Sequence, residues 1–120
     1  MKFTKMQGTG NDYVVVESND IKRDWLQTAT EMCDRHFGIG ADSLLVVMPS
    51  EKANFRMRIF DPSGSEAEAC GNGIRCLANY VFDRGLISPR VEEILVETIA
   101  GFRKLKLYVK DKELINIQAN

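Results

Sequence analysis

The apolar positions of the chain fall into short runs, each with its own period. Phe3 to Met6 reads as a short strand, and Gln7 to Asp12 as a loop, because two glycines within three residues admit backbone angles that other residues resist. Tyr13 to Glu17 is β-branched and apolar, as a buried strand is, and Ser18-Asn19-Asp20 breaks it. Trp25, Leu26, Ala29, Met32 and Cys33 repeat with helical spacing and predict a first helix from about Asp24 to Asp34. Arg35 and His36 follow where cations suit a helix C-terminus, and Gly38 can end it. Leu44 to Met48 is a second apolar strand. Phe55 to Phe60 alternates, with Phe55, Met57 and Ile59 on one face and Arg56 and Arg58 on the other. Asp61-Pro62-Ser63-Gly64 carries proline and glycine where a turn needs them.

A second helix is predicted from Gly71 to about Gly85. Ile74, Leu77, Ala78, Val81 and Phe82 form its stripe, and Arg75, Asn79 and Asp83 confine the polar side chains to one narrow row. A helix apolar nearly all round is wrapped by the rest of its domain. Strands follow at about Ile94–Thr98, Phe102–Val109 and Glu113–Ile117, joined by links that suit hairpins. The pattern predicts an α+β domain in which a curved, mostly antiparallel mixed sheet surrounds one buried helix.

Composition narrows the function classes. Of 120 residues, 44 % are apolar, enough for a single core. Sixteen Lys and Arg against 17 Asp and Glu give a net charge of −1, so there is no bulk attraction to nucleic acid or an anionic membrane. No apolar run approaches the roughly 20 residues that span a bilayer, and MKFTKM is not a secretory signal. Three cysteines without metal-like spacing fit reduced thiols in a cytoplasm better than a disulfide framework.

The chemistry concentrates in Gly64 to Gly73. Cys70 directly precedes the second helix, where the helix dipole and unpaired N–H groups favour a thiolate. Gly71, Asn72 and Gly73 offer little bulk, so a ligand carboxylate could approach those N–H groups. A cysteine base beside an anion site suits proton transfer at the carbon next to a carboxylate. The same residues also suit a small buried cysteine in a glycine-rich turn, and the pattern alone leaves both readings open. Cys33 and Cys76 sit among apolar neighbours and are expected in the core. His36 reads as a helix-end or surface residue, and Asp42 as a loop hydrogen-bonding residue. The Gly8 to Asp12 loop lacks both the third glycine of a dinucleotide fingerprint and the lysine of a phosphate loop.

Three separated segments carry a family resemblance: Lys5 to Tyr13, Asp34 to Asp42, and Gly64 to Cys76. Together with Thr98 and Gly101, they make the chain similar to the N-terminal half of the diaminopimelate epimerases. The resemblance implies a diaminopimelate-epimerase-like domain, one of two, across residues 1–120. It also implies an epimerase needing no cofactor and no pyridoxal phosphate. Two cysteines would face opposite sides of the substrate α-carbon, one removing a proton as thiolate and the other returning one as thiol. Cys70 would be one of the pair, Gly71 and Asn72 would bind the α-carboxylate, and Asn11 would contact substrate.

The chain also departs from the family pattern. Gln7 replaces a histidine, Ser43 a glutamine or glycine, Asp61 an asparagine that meets the distal end of the substrate, and Ser63 an aspartate. Ser43 and Asp61 are therefore further substrate-contact candidates, and Asp61 changes the charge offered there. Nothing here supplies the second cysteine, so the isolated chain is expected to be inactive. Partners implied are a small amino-acid substrate, a C-terminal domain and a homodimeric copy, with neither nucleic acid nor membrane. The competing expectations are a same-fold racemase or epimerase of another amino acid, and a non-catalytic half-domain with a binding or assembly role.

Overall fold

The computed structural model describes residues 2–7, 10–68 and 71–119. Within them lie strands β1 (Thr4–Gln7), β2 (Asp12–Glu17), β3 (Ser43–Met48), β4 (Phe55–Asp61), β5 (Ser65–Ala67), β6 (Glu93–Thr98), β7 (Gly101–Lys110) and β8 (Glu113–Ala119). Helix α1 (Trp25–Cys33) follows β2, and α2 (Gly71–Asp83) follows β5. The strands form one mixed sheet in the order β1-β2-β3-β4-β6-β7-β8, with β5 paired to β4 off this path. The β2–β3 and β4–β6 pairings are parallel, and the other five are antiparallel. The parallel pairs exist because a helix crosses over between their strands, as parallel strands require.

Strand alternation divides the core in two. Tyr13, Val15, Leu45, Val47, Met57 and Ile59 point to one face, where they meet Ile74, Leu77, Ala78 and Val81 of α2 together with Ile94, Leu105 and Ile117. Val14, Val16, Leu44, Val46 and Phe60 point the other way, against Trp25, Ala29 and Cys33 of α1. The sheet thus curls around α2 and carries α1 on its outer face, as the α+β expectation required. Only Arg75 and Asp83 of the predicted polar row are exposed, and Asn79 between them is half-buried.

Local chemistry sets the element ends. Asp24 caps α1, its carboxylate accepting from the Gln27 amide at 3.0 Å. At the other end the sequence expectation needs correction. Gly38 does not end α1; the helix closes at Asp34, whose backbone turns extended. Asp34 Oδ1 then accepts from the amides of His36 (2.7 Å) and Phe37 (3.0 Å), and the chain folds back so that Ile39 N meets the Met32 carbonyl at 2.8 Å. Gly38 is needed for a different reason: a Cβ there would collide with the carbonyl oxygens of Glu31 and Met32. Leu26, expected in the apolar stripe, is 39 % exposed, and Thr28 is buried in its place. The Thr28 hydroxyl donates to the Asp24 carbonyl (3.0 Å) and accepts from Arg23 Nε (2.9 Å), which makes its burial tolerable.

The β6–β7 hairpin turns through Ile99-Ala100 and closes on Gly101 at φ 112°; the β7–β8 turn places Asp111 and Lys112 at φ 53° and 65°, the signature of a type I′ turn. Among the described residues no helix is long and apolar enough to cross a membrane.

The two leucines give a direct test of this packing. Leu77 is fully buried against the sheet, so Leu77→Ala should cost about 2–5 kcal/mol. Leu26→Ala, on the open side of α1, should stay within about 0.5 kcal/mol. Urea unfolding of both variants measures the difference.

Candidate functional site

Three strands begin or end together at one edge of the sheet. Ser43 opens β3 opposite Tyr13 of β2. One step beyond the Leu44–Phe60 pair, Asp61 closes β4, and it in turn faces Ser65 of β5. Alternation puts Ser43, two residues before Leu45, and Asp61, two after Ile59, on the face that α2 covers. Asn11 stands just ahead of β2, half-buried.

The direction of α2 brings its start to the same edge. Near its C-terminal end, the Tyr80 hydroxyl donates to Glu17 at the far end of β2 (2.6 Å), and Arg84 beyond it reaches Thr4 of β1. The N-terminus of α2 therefore lies toward the edge where β2 and β3 begin. Gly71 is exposed there, Asn72 is half-buried and Gly73 is buried. No acidic side chain occupies the first helical turn, so nothing of the helix's own neutralises its positive end. Cys70 lies outside the described residues. A groove of about 1310 Å³ between the 88–93 segment and the β7–β8 hairpin is lined by other residues, Arg90, Lys106 and Tyr108 among them.

A clasp that sequence reasoning missed ties down the loops bearing Asn11 and Ser43. The Asp12 amide donates to Asp42 Oδ2 at 3.0 Å, and the Asp42 amide donates to Asp12 Oδ1 at 2.8 Å. Arg35 Nη2 lies 3.3 Å from both carboxylates, and Lys5 Nζ 3.5 Å from Asp12. Burial alone would raise the Asp12 carboxyl. Hydrogen bonds from Asp42 and Arg35, with the guanidinium charge, outweigh it and hold the group at about 2. Asp42 was read as a loop hydrogen-bonding residue, and that is its place. The available signal was an aspartate ending each glycine-bearing loop directly before a buried strand.

Asp61 is similarly occupied. Its carboxylate accepts from the Ser63 hydroxyl, the Ser63 amide (3.0 Å) and the Ser65 hydroxyl (2.7 Å). The Ser63 hydroxyl first, then that of Ser65, keep it below the usual carboxylate range. The group is ionised, and its nearest donors come from its own turn.

The other titratable candidates lie apart from this edge's chemistry. Cys33 and Cys76 are 3 % and 5 % exposed, and burial pushes both thiols up to about 11. They are core residues, as their apolar neighbours indicated. His36 is exposed, next to a Phe37 ring that is 96 % exposed.

A half-barrel sheet curled over a central helix recurs in solved structures of other proteins. A hydroxyproline epimerase from Agrobacterium vitis, solved with trans-4-hydroxy-L-proline, superposes with a TM-score of 0.75 at 18 % identity, over 92 % of this chain and 38 % of that one. The particular family comes from the sequence: the model for diaminopimelate epimerase matches residues 3–119, and the chain belongs to that family. It is 48 % identical over 118 residues to a diaminopimelate epimerase of Caldanaerobacter subterraneus subsp. tengcongensis, across 98 % of this chain and 42 % of the relative. It is 52 % identical over 112 residues to one of Acetivibrio thermocellus, across 92 % of this chain and 39 % of the relative. The chain thus spans about two fifths of the length of these relatives.

The clasp predicts a pH dependence. A carboxyl lowered on folding contributes stability above its unfolded value, near 4, and loses it as pH falls toward 2. Asp12→Asn should therefore be less stable than the parent chain at pH 6, and the gap should close on acidification through that window. Thermal melts at stepped pH check this.

Proposed function

We propose that this chain is the N-terminal domain of a diaminopimelate epimerase, contributing one catalytic cysteine and one wall of the substrate cleft. Family membership across residues 3–119 is the observation that carries the reading. In this reading the second domain supplies the opposing cysteine, and the reaction interconverts LL- and meso-diaminopimelate for lysine and cell-wall precursor synthesis in the cytoplasm.

Cys70, as thiolate, removes the α-proton. The N-terminal amides at Gly71 and Asn72 hold the α-carboxylate, which also disperses the negative charge that develops on the α-carbon. Asn11 and Ser43, at the same sheet edge, contact the amino acid. The thiol on the far face returns a proton, and the reverse reaction exchanges the two roles. No cofactor enters this scheme, because both proton transfers are made by side chains. Asp61 faces the distal end of the substrate with its charge intact, favouring an ammonium over a carboxylate there. That charge is the specific observation favouring a second reading, a same-fold epimerase for another amino acid.

Thiol reactivity tests the assignment in this chain. Near neutral pH, iodoacetamide should label Cys70 at least tenfold faster than Cys33 or Cys76, whose thiols titrate near 11. Peptide mapping by mass spectrometry reads the three sites separately, and faster labelling of either buried cysteine in the folded chain contradicts the assignment.

Catalysis gives the second test. In a two-domain protein carrying this chain, Cys70→Ala should lower kcat for epimerisation by about 10²–10⁴, the range of a lost general acid or base. The 120-residue chain alone should show no turnover. Optical rotation in D2O follows both, and sustained epimerisation by the single domain would refute the two-base scheme.

A further inference from the structure

Strand β5 is three residues long and, among the described residues, pairs only with β4, outside the main path of the sheet. Such a short edge strand has little hold of its own. Yet it leads directly to the cysteine: only residues 69 and 70 separate Glu68 from the start of α2. Besides the Ser65–Asp61 bond at its start, two side-chain contacts anchor it. Ala67 packs against the α2 core. On the opposite face, Arg58 of β4 grips Glu66 with two parallel bonds, Nε to Oε2 at 3.0 Å and Nη2 to Oε1 at 2.8 Å.

This fork differs from an ordinary surface pair. Both side chains are about four-fifths covered, with 19 % and 20 % exposure. The Arg58 guanidinium lies over the Phe60 ring at 4.8 Å from its centroid, and Phe60 is itself buried beneath α1. The aromatic face and the planar carboxylate fix the guanidinium in one orientation, which a lysine ammonium cannot reproduce. Phe60 and Glu66 are also direct partners in the β4–β5 register. The fork thus pins that register, and a slip by one residue would turn Ala67 out of the core.

We infer that Arg58, through Glu66, is a positioning residue for Cys70: it fixes the strand from which the two-residue link carries the thiol to the start of α2. The inference rests on the reading of Cys70 as the reactive thiol. With the fork intact, the two-residue link runs from a held strand to Gly71, the first residue of α2. Without it, β5 is held less firmly and the thiol loses its enhanced reactivity.

The experiment is the pH profile of iodoacetamide labelling at Cys70 in the 120-residue chain, mapped by mass spectrometry, for the parent, Arg58→Lys and Glu66→Gln. Arg58→Lys leaves every charge in place, so a change in midpoint reports geometry. Glu66→Gln removes a negative charge, and electrostatics alone would move the midpoint down, opposite to the effect of lost positioning. The expected result is an upward shift of about one pH unit in both variants, roughly tenfold less thiolate well below the midpoint. Cys33 and Cys76 should stay unlabelled throughout, showing that the core is intact. Unchanged midpoints in the variants, or a downward shift in Glu66→Gln, overturn the inference and leave the assignment of Cys70 standing. So does labelling of Cys33 and Cys76 without any midpoint shift, which reduces the fork to a fold contact. A parent midpoint at the ordinary thiol value, about 8.5, overturns both.

Discussion

The domain depends on burying a helix that has almost no polar side. Ile74, Leu77, Ala78 and Val81, with Cys76 and Tyr80 on a neighbouring face, leave α2 only one narrow strip to show to water. A flat sheet covers one stripe of a helix. Covering most of the circumference requires a sheet that curls, and apolar residues of β2, β3, β4, β6, β7 and β8 all contribute to the surface that receives it. Each strand alternates, so the same curl creates a second apolar face outside, which α1 closes through Trp25, Ala29 and Cys33. The two helices answer two faces of one constraint.

That constraint also decides where chemistry can occur. The body of α2 is enclosed, so its backbone meets solvent at its ends. The C-terminal end is tied to the sheet through Tyr80 and Arg84. The N-terminal end is sheathed in glycine and asparagine and lies toward the sheet edge where Ser43 and Asp61 stand. Polar groups around this edge satisfy one another: Asp12 with Asp42 and Arg35, Asp61 with Ser63 and Ser65, Arg58 with Glu66. Prearranged hydrogen bonding of this kind keeps neighbouring groups in place without demanding reorganisation when a charged ligand arrives.

Much of this was legible in the sequence because periodicity reports burial directly. Both helices and all the strands except β5 follow from apolar spacing, and the sparse polar row of α2 foretold its enclosure. The misses have physical reasons. Strand β5 has three residues, too few for alternation to register. Leu26 follows Trp25 so closely that helical spacing could not choose between it and Thr28 for the buried side. Gly38 suits a helix end and a crowded turn equally well until the neighbouring carbonyls are placed. Arg58 was assigned to the correct face of its strand, but a face does not name a partner. Asp12 and Asp42 are 30 positions apart, and their mutual bonding exists only because β2 and β3 run parallel.

The near-sequential order of the sheet has a consequence for how the domain assembles. From β6 onward every pairing joins chain neighbours through a turn of two residues, so little loop-closure entropy opposes it. The β2–β3 and β4–β6 pairings span whole crossovers and become favourable only once a helix fills the intervening face. The expected route is a C-terminal meander that collects early and a slow step in which α2 docks and joins it to β2–β4. Stopped-flow measurements distinguish the stages: truncations at the α2 core should slow folding, whereas truncations in the edge strand β1 should chiefly speed unfolding.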